Sequence, residues 1–134
     1  MAKTLWCWRC QMELPMLDED EWAVLMEAHF AAMHPTARNL ARGLEVLERE
    51  GARRGLPPVR RPSGEVAGIR RLLWHMSAGY ELFTGVADEH PNAVWHHRAA
   101  LYGPPCPACG KPFRTPQSRQ CAACGTPGPS CGEE

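Results

Sequence analysis

Three features of the 134-residue sequence predict a mainly α protein: a small helical bundle of about four helices, with a C-terminal zinc ribbon and an N-terminal Cys-x2-Cys knuckle. Apolar residues recur at three-and-four spacing along four stretches, two Cys-x2-Cys-Gly strings stand near the C-terminus, and one further Cys-x2-Cys stands near the N-terminus. The C-terminal strings, Cys106/Cys109 and Cys121/Cys124, have eleven residues between them, the layout of a zinc ribbon. Four thiolates at that spacing close a tetrahedral shell around Zn²⁺, and Gly110 and Gly125 let each knuckle turn. A closed all-sulfur shell leaves no position for substrate, so this metal is expected to be structural.

Residues 1–17 are expected to form an N-terminal Cys-x2-Cys knuckle, or short hairpin, packed on a helical domain over 18–103. Asp18 is a good N-cap for the first helix, with Glu21 three residues later as in a capping box. Trp22, Leu25, Met26, His29, Phe30 and Met33 then form the expected core-facing stripe, and His34-Pro35 ends the helix. Thr36 can cap a second helix to about Glu50, with Leu40, Leu44 and Leu47 on one face. Residues 51–64 contain Gly, Pro and four arginines, which marks an exposed basic linker able to meet an acidic partner.

A third and longest helix is expected from Ser63 or Gly64 to Gly85, carrying Val66, Ile69, Leu73, Met76, Tyr80 and Phe83 on its buried stripe, with His75 on its solvated face. A fourth, capped by Asn92, is expected through AVWHHRAALY to Gly103. The ribbon then occupies 104–126. Residues 127–134, including a seventh cysteine, Cys131, read as a Gly/Pro-rich disordered tail.

Fifteen basic and fifteen acidic residues give a formal charge of zero, so no global field draws the chain to nucleic acid or to an anionic membrane. No apolar run reaches the roughly 18 residues needed to span a bilayer. Residues 1–10 carry no secretion-signal pattern, and seven cysteines in a leaderless chain suggest reduced thiols and metal, so a cytoplasmic protein is expected.

Cys7 and Cys10 have no other cysteines nearby, and a second Zn²⁺ there needs ligands from elsewhere. Three readings compete. His29 and His34 give Cys-x2-Cys-x18-His-x4-His, close to zinc-finger order, although His29 falls on the apolar stripe and His34 would have to swing in from a frayed last turn. His96 and His97 are adjacent, so on a helix only one of them could face the metal. In the third reading the pair is unmetallated, or packs as small hydrophobes beside Trp6 and Trp8. The metal set expected from sequence is thus Cys106, Cys109, Cys121 and Cys124, with Cys7, Cys10, His29 and His34 at a second centre. A thioredoxin-like role for Cys7 and Cys10 is rejected, because that motif needs a preceding strand and a following helix N-terminus to lower a thiol pKa.

The strings PNAVWHHR at 91–98 and LYGPPC at 101–106, then Cys109-Gly110-Lys111-Pro112 and Arg114-Thr115-Pro116, resemble a family of small uncharacterised bacterial zinc-ribbon proteins. The N-terminal Trp6-Cys7-Trp8-Arg9-Cys10 and Pro15-Met16-Leu17-Asp18-Glu19 are similar to the same pattern. The resemblance implies a bacterial cytosolic protein and carries over the zinc cysteines alone.

No Walker loop, metalloprotease His-Glu-x2-His or Gly-x-Ser-x-Gly elbow occurs, so a non-enzymatic protein is expected. The leading expectation is a protein-binding module, such as an immunity protein, adaptor or assembly factor. The alternative is nucleic-acid binding through the ribbon cations Lys111, Arg114 and Arg119, and a metal-handling or redox-sensing role comes third.

Overall fold

The first strand pair sets the position of everything that follows. In the computed structural model, which describes residues 2–34 and 36–128, β1 (Lys3–Cys7) and β2 (Met12–Met16) form an antiparallel hairpin in which Cys7 pairs with Met12 and Lys3 with Met16. Cys7, Leu14 and Met16 turn inward, with Leu5, Cys10, Ala99 and Tyr102 packed against them. The hairpin therefore lies on the segment just before the ribbon, although most of the chain separates the two.

Asp18 caps α1 (Glu19–Ala32) as the sequence predicts. Its carboxylate accepts from the Glu21 N–H at 2.8 Å, and the Glu21 carboxylate accepts from the Asp18 N–H at 2.9 Å. The buried face is rotated from the expected one. Trp22, Val24, Leu25, Ala28 and Ala32 are inside, whereas Phe30 is 70% exposed. The cause lies in the neighbouring helix, α2 (Leu40–Arg53), which approaches α1 on its alanine side: a Cβ built on Gly43 would stand 2.8 Å from the Ala28 carbonyl oxygen and from the Ala32 Cβ. Small residues on both helices permit that approach. Between α1 and α2, β3 (Met33–His34) and β4 (Ala37–Arg38) form a two-residue ladder, so α2 begins after Asn39 and not after Thr36.

The arginine-rich linker is a strap and not a free basic loop. Val59 is buried, and the Trp74 indole N–H donates to the Arg60 carbonyl at 2.7 Å. Arg60 bonds Asp88 at 2.7 Å and Glu81 at 3.3 Å, Arg61 bonds Glu48 at 2.6 Å, and Arg53 bonds Glu50 at 2.6 Å. The single long helix expected from residue 63 divides into α3 (Gly68–Leu72) and α4 (Trp74–Thr84), because Leu73 leaves helical geometry at φ −107°, ψ 25°. Only the second piece is enclosed, and Ile69 and Leu72 on α3 are exposed. Buried along almost its whole length, α4 contacts α1, α2 and α5 and ends at Gly85, whose φ of 78° suits glycine. His75, expected on a solvated face, is fully buried because α4 has almost no solvated face.

The fourth expected helix is cut to one turn, α5 (Pro91–Val94), capped by the His90 side chain and not by Asn92. Beyond it the chain straightens. Leu17 donates to the His97 carbonyl at 2.8 Å and accepts from the Ala99 N–H at 2.9 Å, a short parallel bridge that pulls residues 97–99 onto the end of the hairpin. A 3₁₀ turn at Ala99–Leu101 leads to the ribbon. Five α-helices are thus present among the described residues, three of them longer than two turns, and not four comparable ones. No described helix is long and apolar enough to cross a membrane. Pairing in the ribbon extends to Pro127, which bridges Gln120, while residues 129–134 of the expected tail, Cys131 among them, lie outside the described residues.

Candidate metal centres

Each ribbon knuckle is built by the same two bonds. The first cysteine's N–H donates to the residue five positions on, at 2.8 Å in both cases: Cys106 to the Lys111 carbonyl and Cys121 to the Thr126 carbonyl. Its carbonyl accepts from the glycine, Gly110 at 2.8 Å or Gly125 at 2.9 Å, and both glycines have left-handed φ, 81° and 77°. Sulfurs face across the two knuckles, Cys106 to Cys124 and Cys109 to Cys121, each at 3.6 Å. A disulfide requires about 2.05 Å. A tetrahedral shell with metal–sulfur bonds of about 2.3 Å has edges of about 3.8 Å, which is the arrangement seen. The backbone N–H groups of Cys109 and Ala108 aimed at the Cys106 sulfur lower its thiol to about 6, favouring the thiolate that ligates.

The N-terminal knuckle repeats this backbone without the glycine. Gln11 takes the left-handed place at φ 57°, and its N–H donates to the Cys7 carbonyl at 2.8 Å. The Cys10 N–H reaches the Cys7 sulfur at 3.4 Å. His96 and His97 supply the second half of the donor set: Cys7 Sγ lies 3.3 Å from His96 Nδ1, and Cys10 Sγ lies 3.4 Å from His97 Nε2. All four ligand atoms lie within 4.8 Å of one another, as do those of the ribbon.

Adjacent histidines converge on one point because they use different nitrogens. His96 presents Nδ1, close to the backbone, and His97 presents Nε2, at the ring's far end, with the rings 4.7 Å apart at 80°. A continuous helix would forbid this, and the end of α5 at Val94 allows it. The surroundings suit a metal ligand. Burial holds His97 neutral, its pKa lowered to about 4, and its buried Nδ1 has no hydrogen-bond partner among the described residues while facing the Glu89 carboxylate at 3.6 Å. A carboxylate behind a histidine is the arrangement that fixes the tautomer of metal-bound imidazoles. The Tyr102 hydroxyl donates to the His96 carbonyl at 2.8 Å and approaches the Cys7 sulfur at 3.6 Å. Burial, followed by the bond to Cys7, pushes the Cys10 thiol up to about 11, and a divalent cation lets two such neighbouring sulfurs ionise together.

This geometry corrects the ligands expected from sequence. His29 and His34 do not join Cys7 and Cys10: His29 Nδ1 meets His75 Nε2 at 2.9 Å, and His34 Nδ1 meets the Thr36 hydroxyl at 2.9 Å. His29 sits on the side of α1 that faces α4 and Trp95, where core packing decides its partner.

The His29–His75 pair has its own consequence. Burial, then the neighbouring His29, lowers His75 to about 4 from its ordinary 6.5. An unfolded chain therefore takes up a proton there before the folded one does. Stability from this group is complete above about pH 6.5 and falls as the pH drops to 4, by about 3 kcal/mol in all. Urea unfolding between pH 7 and 4 should show a shallower pH dependence in His75→Gln than in the native chain. Equal slopes would show that His75 does not titrate with folding.

Comparison with family models, with curated proteins and with solved structures finds no match to this chain.

Proposed function

We propose that the protein is a non-catalytic binding module for another protein, held in shape by two zinc ions. The observation that carries this reading is the composition of the two donor sets, each of four protein side chains, S₄ in the ribbon and S₂N₂ between the first hairpin and residues 96–97. Compact sulfur and imidazole shells favour Zn²⁺ over Mg²⁺ or Ca²⁺, and four protein ligands fill a tetrahedral ion. Both ions then act as staples. The thiols at both centres suit a reducing, cytoplasmic setting.

A protein partner is favoured over nucleic acid by the use made of the cations. Arg49, Arg53, Arg60, Arg61 and Arg98 each bond a carboxylate of the same chain, Arg98 through a two-pronged pair with Glu19 at 2.7 and 2.8 Å. Cations bound in this way form no track for a phosphate backbone.

Native mass spectrometry of protein purified from its own cells in high salt should show two zinc ions per chain and a stoichiometric protein partner. One ion would remove the Cys7/Cys10 centre. Retained nucleic acid, lost steeply as salt rises, would replace the protein-binding reading with the nucleic-acid one.

A further inference from the structure

Beside the first metal centre lies a cleft of about 490 Å³, open to solvent and walled by three separate parts of the chain. Trp8 and Arg9 come from the N-terminal knuckle, Asn92, Trp95 and Tyr102 from the α5 region, and Arg114 from the ribbon. Trp8 and Arg9 are the two residues between the ligands Cys7 and Cys10, and the ligand His96 also borders the cleft. The walls are therefore positioned by the same atoms that hold the metal.

The lining combines aromatic faces with cations. Trp95 is 39% exposed although it rests edge-on against Trp22 and His29. Trp8 is fixed by its indole N–H, which donates to the Pro112 carbonyl at 3.0 Å, and the Arg114 guanidinium stands 5.5 Å from its ring centre. Among the described residues, neither Arg9 nor Arg114 has an ion pair with a carboxylate, in contrast to Arg49, Arg53, Arg60, Arg61 and Arg98. With Zn²⁺ bound, two thiolates and two neutral imidazoles would cancel the charge of the ion, so the four ligands themselves would offer Arg9 no counter-charge.

We propose that this cleft binds an acidic segment of the partner protein, with carboxylates on Arg9 and Arg114 and an apolar side chain against Trp8 and Trp95. The proposal rests on the protein-binding reading above and names the chemistry of the partner. Guanidinium groups pair with carboxylates through two parallel hydrogen bonds, and exposed tryptophan beside arginine is the composition of energetic centres at protein interfaces. The cleft is large enough for a few side chains. A bound single strand would need further cations along its path, and Arg49, Arg53, Arg60, Arg61 and Arg98 are already tied to carboxylates.

The test uses the zinc-loaded chain with labelled tryptophan indoles, titrated with a short peptide alternating Asp and Glu with Leu and Phe, with its Asn/Gln counterpart, and with oligothymidylate. The acidic peptide should shift the Trp8 and Trp95 signals saturably and leave that of Trp74 in place. Arg9→Gln and Arg114→Gln should each weaken binding by about tenfold while both zinc ions are retained. Absence of a saturable shift, equal binding of the amide peptide, or tighter binding of oligothymidylate would each overturn the proposal. Co-purification separates the two levels: a partner protein still held by the double variant removes the cleft but keeps the binding module, and a native chain that holds no protein removes the module itself.

Discussion

Replacing His97 with alanine should reduce the zinc content by one ion per chain and lower the thermal midpoint by on the order of 10 °C. The ligands explain the size of the effect. Cys7 and Cys10 are 89 and 87 residues from the histidines that they face, so an ion bound there would close a loop containing every long helix among the described residues. For a covalent cross-link over a loop of that length, the chain-entropy model gives about 4 to 5 kcal/mol, and zinc that binds only the folded state acts in the same direction. His97 also packs against the Tyr80 ring at 5.3 Å, which adds lost contact to lost metal. Cys10→Ser should cause the same loss of metal, and the double variant should lose no second ion, because both residues serve one centre. Cys124→Ser should likewise remove one ion, but with a much smaller change in the helical melt, since it loosens a ribbon closed over only eighteen residues. Elemental analysis and circular dichroism read both quantities. An unchanged melting curve for His97→Ala would show that no ion joins the two ends.

Leu25→Ala should destabilise the chain by about 3 kcal/mol, as is usual for truncation of a fully buried leucine, and Gly79→Ala should interact with it. Leu25 is 0% exposed, among Trp22, Met76, Tyr80 and Val94. A Cβ on Gly79 would stand 2.5 Å from Leu25 Cδ1 and 3.3 Å from Leu47 Cδ2, so α4 owes its fit between α1 and α2 to the missing side chain. By helix propensity alone, alanine there would stabilise by about 1 kcal/mol. Overpacking reverses the sign, and a net cost of about 1 to 2 kcal/mol is expected. In the Leu25→Ala background the obstructing methyl is absent, so Gly79→Ala should become neutral or favourable, and the double variant should be more stable than the sum of the single effects by at least about 1 kcal/mol. Urea midpoints of the four proteins measure this coupling. Strict additivity would mean that the two positions do not meet.

Features whose physics is local were readable from the sequence, and features decided by distant packing were not. The cysteine knuckles and the Asp18/Glu21 capping box each depend on a few neighbouring residues, and both stand where the spacing puts them. The same holds for Gly85 at the end of α4. The second half of the N-terminal donor set depends on Leu17 pairing with residues 97–99, a contact with no sequence pattern. That pairing cuts short the helix expected over 92–103 and lets two adjacent histidines share a point. His75 looked solvated because its position was judged against one apolar stripe, whereas α4 is enclosed on several sides. Phe30 looked buried for the converse reason: small residues at Ala28, Ala32 and Gly43 drew α2 to the other side of α1. The sequence offers His96 and His97 as one of three readings for the second centre, and ranks them behind His29 and His34 because on a helix only one of two adjacent residues can face the metal.

The long separation between the halves of the first centre has a consequence for biosynthesis. On the ribosome, the hairpin emerges before the helices, and its two thiols wait for His97 to clear the exit tunnel, by which time every described α-helix has been made. The ribbon follows within a few tens of residues and can load as a local unit. Newly made chains therefore pass through an interval in which an oxidant or a competing metal can reach Cys7 and Cys10 but cannot yet be excluded by the finished fold.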